Sequence, residues 1–373
     1  MLIVNRRSVP VSILLLMVLV APVWAQEKGW EKEWNEILRA AKKEGRVIIQ
    51  GSPDPVMRKE VIPKFTARFG IPVEFLAGRS SHMAAKVRTE RRAGIYTMDV
   101  FMSGIGTASR ILYPEKLINP LKPLLILPEV VDPSKWKKGK PWFVDPEEKY
   151  VLRLFHNVAG SFFINTDYVK PEEVRSAKDF LNPKWKGKIS TEDPTVRGSG
   201  RNQAARYLLQ FGREYLKRLY IDQKPARTRN RRQMADWLAR GTYPICLNCR
   251  GDDVKVLQKE GFKVLEIFGL SDMPAAVNGS PFHLMVASNP PHPNAAQVFV
   301  NWITSKEGME IYSWGRDSVS LRTDVDESVL PPGTIPRPGV KYFDNHDWNW
   351  VATGRRKSGE QAEKLIRSWM KKR

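Results

Sequence analysis

Three short apolar runs, separated by two amphipathic helical stretches, stand at the head of this chain and restrict its fold more than any other feature. Trp30 to Glu44 places Trp34, Ile37, Leu38 and Ala41 on one helical face, and Gly45 ends it. Arg46 to Gln50 reads as a buried strand. Asp54 and Pro55 then suit the cap and first position of a helix that Pro63 must kink or split. Ile71 to Ala77 is a second strand, a helix runs on to Gly94, and Met98 to Met102 is a third strand. Parallel strands need crossover connections, so this β-α-β-α-β order with short loops predicts a mainly parallel sheet covered by helices. Ligands of such sheets sit beyond the carboxyl ends of the strands. Those ends carry Ser52, Arg79, Ser80 and Ser103.

A second α/β set follows after residue 150. Residues 114–149 are rich in Pro, Lys and Trp and read as irregular surface structure, and Val151 to Ile164 reads as extended. The stretch Asp193-Pro194-Thr195-Val196-Arg197-Gly198-Ser199-Gly200 lies between a strand-like run and a helix with Ala204, Ala205, Leu208 and Leu209 on one side. A helix N-terminus offers unpaired N–H groups and a partial positive charge, and Arg197 adds a full one. The stretch therefore reads either as an anion seat or as an ordinary strand–turn–helix connection. Further strands are expected at 244–247, 262–268 and 282–287, with helices over Met234 to Leu238 and Pro293 to Thr304. In the last helix, Ser358 and Gln361 have capping-box spacing.

At 373 residues the chain is long enough for two domains. Residues 1–25 form a separate unit. Arg6 and Arg7 are followed by the apolar run Val11 to Val20 and by Val23-Trp24-Ala25, the three-part pattern of a cleaved secretory signal. The formal net charge is +21, and only Arg6 and Arg7 carry charge within that leader. The basic excess of the exported chain favours negatively charged partners. No nucleic-acid motif accompanies the basic runs Arg88/Arg91/Arg92, Arg227/Arg229/Arg231/Arg232 and Arg355/Arg356/Lys357, so they read as solvated faces and nucleic acid is not expected. Cys246 and Cys249 have C-x-x-C spacing on a strand rather than a helix N-terminus, which favours a structural or incidental pair over a redox centre. The sequence holds no G-x-S-x-G elbow, H-E-x-x-H or phosphate-binding G-x-x-x-x-G-K-[ST] motif, and no cofactor is expected.

Several short stretches, taken in order, resemble one family. They are Ala41-Lys42-Lys43-Glu44-Gly45, Asp99-Val100-Phe101, Asn165-Thr166-Asp167, Asn182-Pro183-Lys184-Trp185-Lys186-Gly187 and His292-Pro293-Asn294-Ala295-Ala296 through Ser305-Lys306-Glu307-Gly308. Together they are similar to the extracellular solute-binding proteins of ABC transporters, of the iron(III)/type 2 periplasmic class, over roughly residues 30–322. The resemblance implies an α/β fold of two lobes, each a mainly parallel sheet flanked by helices, joined by hinge strands near 150–165 and 277–287. It divides the chain into a signal peptide (1–25), a first lobe (26–153), a second lobe (154–280) and a return with a helical tail (281–373). It implies a monomer in the periplasm that closes over a solute and hands it to permease subunits in the inner membrane.

Iron binders of this family use adjacent tyrosines in a loop of the second lobe. The matching residues here are Asn248-Cys249-Arg250, and an arginine suits an oxyanion better than ferric iron. The expected ligand is therefore a small anionic solute. One wall of its site would carry Arg197, Gly198, Ser199 and Arg250, the other Ser52, Arg79, Ser80 and Ser103. The alternatives are a ferric iron carrier of the same family and an exported hydrolase acting on an anionic substrate.

Overall fold

A computed structural model of the chain describes residues 29–78, 80–159, 162–278 and 283–372. The expected leader and Arg79 fall outside these residues.

The first lobe opens with helix α1 (Gly29–Glu44) and strand β1 (Val47–Gly51). A π-helical turn, Met57–Val61, then leads into α2 (Ile62–Phe69). Pro63 sits in the first turn of α2, where its missing N–H costs little, so the expected split falls just before it. Strand β2 (Val73–Ala77), helix α3 (Ser80–Arg92) and strand β3 (Val100–Ser103) follow. Two short strands, β4 (Ile118–Asn119) and β5 (Leu152–Arg153), bracket the irregular Pro-rich segment. Strand β6 (Asn157–Ala159) is the outward crossing.

The second lobe contains β7 (Phe162–Asn165), β8 (Ile189–Glu192), α4 (Ser199–Lys217), β9 (Ala226–Thr228), α5 (Arg231–Ala239), β10 (Ile245–Cys246), α6 (Gly251–Lys259) and β11 (Val264–Ile267). Helix α4 is interrupted at Gly212, whose φ of 78° a residue with a side chain rarely adopts. The chain returns through β12 (Ala276–Asn278) into β13 (His283–Ala287), α7 (Pro293–Thr304) and α8 (Lys306–Gly315). The tail adds β14 (Phe343–Asp344) and α9 (Arg355–Met370).

Among the described residues the first sheet has the order β2-β1-β3-β13-β4, with β5 also on β13, and the second has the order β11-β7-β10-β8-β9. In each sheet one strand runs against the others. It is β13 in the first and β7 in the second, and each follows directly on a crossing. A strand arriving from the other lobe enters its sheet from the opposite end. The crossings β6 and β12 pair antiparallel, and the tail strand β14 pairs parallel to β12, making a three-stranded hinge.

Each lobe has its own core. The first is built on Phe65, Phe299 and Trp302, with ring centroids 5.3 and 5.4 Å from Phe65. The second contains Phe162, Phe180, Tyr207 and Tyr215, and the tail helix supplies Ala362 and Ile366 to it. The tail therefore spans both lobes, because Val351 belongs to a core cluster of the first. Ser358 lies inside α9, which continues a π-helical turn at Trp350–Gly354 and has Gly354 at its start. The capping-box reading of Ser358 and Gln361 is thus corrected: the helix begins one turn earlier.

Candidate functional site

A cleft of about 380 Å³ opens between the second lobe, the hinge and the tail. Its floor is a hydrogen-bonded row of side chains. Thr191 Oγ1 donates to Asn248 Oδ1 (2.7 Å), Asn248 Nδ2 to Gln203 Oε1 (2.5 Å), and Gln203 Nε2 to the Tyr207 hydroxyl (3.3 Å). These groups sit on β8, α4 and the loop after β10, so the sheet and helix hold them in place before any solute arrives. Burial raises the Tyr207 hydroxyl well above its ordinary range and keeps it neutral.

Four arginines line the cleft, Arg206, Arg231, Arg250 and Arg355, and among its described lining residues there is no Asp or Glu. Arg206 donates from Nη2 to Pro274 O (3.0 Å) and stacks on Phe343 of the tail at 5.1 Å. Phe343 in turn meets Trp350 edge-on at 5.2 Å. Arg355 has its guanidinium pKa lowered to about 10 by burial first, then by the charges of Arg110 and Arg197. Asn278, Asn345, His346 and Trp350 complete the hinge and tail side.

On the second-lobe wall, the residues singled out from sequence fall into three groups. Ser199 and Arg250 line the cleft. Arg197 is exposed nearby, within electrostatic reach of Arg355. Gly198 packs against the chain's own Glu192, whose Oε1 would lie 2.8 Å from a Cβ at that position. Ser199 donates its hydroxyl to the same carboxylate, and Arg231 approaches it at 4.0 Å. The helix N-terminus thus already faces an internal anion. Gly200 is required for a different reason: a Cβ there would come within 2.1 Å of Glu192 O, so α4 can pack on β8 only through glycine.

The opposite wall departs from expectation. Ser103 is fully buried and donates to Gln50 Oε1 at 2.8 Å, and neither it nor Ser52 lines the cleft. Ser80 begins α3, and Arg79 lies outside the described residues. The tail segment 345–355 takes the place of those loops, because pairing of β14 with β12 draws it across the hinge. Sequence reasoning missed Arg206, Arg231 and Arg355. Arg231 and Arg355 belong to basic runs that read alone as solvated faces, and Arg206 lies on the polar side of an amphipathic helix.

Cys246 and Cys249 are joined in a disulfide that closes the loop bearing Asn248. Among the described residues, no group of three His, Cys, Asp or Glu side chains is placed to hold a metal ion, and no helix is long and apolar enough to cross a membrane.

Comparison with known proteins agrees with this architecture. An uncharacterised protein of Haemophilus influenzae is 24% identical over 358 residues, covering 89% of this chain and 91% of that protein. The periplasmic binding protein AfuA of Actinobacillus pleuropneumoniae, solved with fructose-6-phosphate, superposes with a TM-score of 0.61 at 19% identity over 88% of this chain and 98% of its own. The apo ferric ion-binding protein A of Pasteurella haemolytica gives 0.64 at 14% identity over 87% and 97%. The model of the bacterial extracellular solute-binding protein family matches residues 60–332. With the two-lobed type 2 periplasmic-binding fold in place, the chain belongs to the extracellular solute-binding proteins of ABC importers.

Proposed function

We propose that this protein is a periplasmic receptor that captures a small anionic solute in the cleft between its lobes and delivers it, as a monomer, to inner-membrane permease subunits. The observation that carries this reading is the charge of the cleft: four arginines and a row of neutral amides, with no carboxylate among the described lining residues. A partly desolvated site of that kind attracts an anion and repels a metal cation. The amides of Asn248, Gln203 and Asn202 suit the hydroxyl or carbonyl groups of the solute's neutral part.

Ferric iron is the competing ligand within the family. Arg250 stands in the loop after β10, and the buried Tyr207 is kept protonated there, so neither offers a hard anionic oxygen. Titration with ferric citrate should give no tyrosinate charge-transfer band. A hydrolytic role predicts turnover of phosphate esters, and none is expected. The direct test is native mass spectrometry of protein purified from the periplasm. A bound small anion is the expected result, and a bound neutral or cationic solute would overturn the reading.

A further inference from the structure

Arg110 of the first lobe and Arg355 of the tail meet at one edge of the cleft, and Arg197 of the second lobe, two residues before the cleft-lining Ser199, lies within electrostatic reach of both. A Cβ placed on Gly106 would lie 2.7 Å from Arg110 Nη2 and 3.1 Å from Arg355 Nη2, so both guanidinium groups press on the same glycine. Arg110 Nη1 donates to Val351 O at 3.0 Å, on the turn just before Arg355. Neither of these guanidinium groups, nor that of Arg197, has a carboxylate within ion-pair distance among the described residues. The acids nearest in sequence are already engaged. Glu115 pairs with Arg88, Glu192 holds Ser199 and Arg231, Asp193 accepts from Thr195, Asp347 accepts from Trp350 N, Glu360 approaches Arg356, and Glu363 pairs with Arg201 and Arg367. Three like charges from three separate segments, left without an internal counter-ion, repel one another unless an anion joins them.

We propose that Arg110, Arg197 and Arg355 form an anion seat at the mouth of the cleft that takes a dianionic group, of the phosphate monoester class, and clamps the tail to both lobes. This rests on the reading of the protein as a receptor for an anionic solute and narrows it. Three guanidinium groups bring a formal charge of +3 and many forked donors, which the dianionic charge and three terminal oxygens of a phosphate monoester offset better than a monoanionic carboxylate does. Arg355 both lines the cleft and belongs to the cluster, so the anionic group sits at the mouth while the remainder of the solute extends over the amide row.

The test uses the full exported chain and two probes, inorganic phosphate and glycerol 3-phosphate, with acetate as the monoanionic control. Calorimetric titration should show the two phosphates binding and acetate not. Arg355→Gln, Arg110→Gln and Arg197→Gln should each weaken phosphate binding by about ten- to a hundredfold. A second readout separates a seat from a structural role. In phosphate-free, low-salt buffer Arg355→Gln and Arg197→Gln should melt at or above the parent temperature, because each removes repulsion, while losing the stabilisation that phosphate gives the parent. Arg355→Gln melting well below the parent in that buffer, or all three variants binding phosphate like the parent, would overturn the seat. Failure here is distinguishable from failure of the broader reading. A solute found by native mass spectrometry that is anionic, yet binds the three variants unchanged, removes only the seat. A neutral solute removes both.

Discussion

Arg153 has no exposed side-chain surface, although it carries a full charge. Its Nε donates to Phe155 O at 2.9 Å, its Nη1 meets Asp344 Oδ2 at 2.6 Å, and Trp142 lies 4.6 Å from the guanidinium carbon. Asp344 belongs to the tail strand β14, so this pair fastens the tail to β5 of the first lobe's sheet. Removing the acid would strand a buried charge, at a cost of about 3 kcal/mol. Asp344→Ala should therefore lower the urea midpoint without changing the slope of the transition. The same charge acts on three histidines, and His346 is held well below its ordinary value by burial first, then by His283 and Arg153. His283 is pushed down to about 3 and His156 to about 4, in each case by burial first and by Arg153 second. Their ordinary value is near 6.5. Between those values the unfolded chain binds more protons than the folded one, so the stability they contribute is full above pH 6.5 and falls away as the pH drops toward 4 and 3. Melting temperature should decline through this window, and His283→Leu should flatten the decline. An acid arm as steep as the parent's would show that other groups set it.

At the level of elements, the family-like stretches prove to be joints of the fold rather than parts of the site. The Glu44 carboxylate at the end of α1 accepts from Asn294 N (3.1 Å), Asn294 Nδ2 (2.7 Å) and Ala295 N (2.7 Å), capping α7 from outside. Asp99 accepts from Ile48 N at 2.7 Å, His292 N at 2.8 Å and the His292 ring at 2.9 Å, and burial holds its carboxyl above the usual range. Asn165 donates to Leu238 O and Ala239 O, closing the C-terminus of α5 onto β7. Glu44→Ala should cost about 1–2 kcal/mol of stability and leave phosphate affinity unchanged. A loss of affinity in a fully folded variant would contradict a purely structural role.

This explains what could be read in advance. Periodicity and caps are local, so α1, β1 to β3, α4, α5 and α7 were legible from the spacing of their apolar residues. Helix α8 was overlooked even though Ser305 caps it by accepting from Gly308 N at 3.3 Å. The wall of the cleft was not legible, because it depends on a two-residue strand, Phe343–Asp344, that has no periodicity of its own. Only pairing with β12 gives it meaning, and Arg355 can be recognised as a cleft residue only after that pairing is known.

On the scale of the whole molecule, the lobes are joined by three segments rather than two. Strands β6 and β12 cross at the hinge, and the tail crosses a third time between Val351, in a core of the first lobe, and Ala362 and Ile366, in the core of the second. The third crossing contains the π-helical turn Trp350–Gly354, where the regular helical ladder is broken and bending is least opposed. A further link is the exposed pair Lys255–Asp317, 2.5 Å apart, between α6 and the turn that follows α8. An exposed pair of that kind is worth at most about 1 kcal/mol, too little to hold the lobes shut alone. An anion drawing together Arg110, Arg197 and Arg355 acts on both lobes and the tail at once, so bound solute should shift the molecule toward its closed form. Small-angle scattering should give a smaller radius of gyration with saturating glycerol 3-phosphate than without it. Lys255→Ala should leave that change intact, whereas Arg110→Gln should abolish it at the same probe concentration. An unchanged radius in a parent protein that calorimetry shows to be saturated would mean that the three crossings already hold the lobes closed, and that the anion enters a preformed cleft.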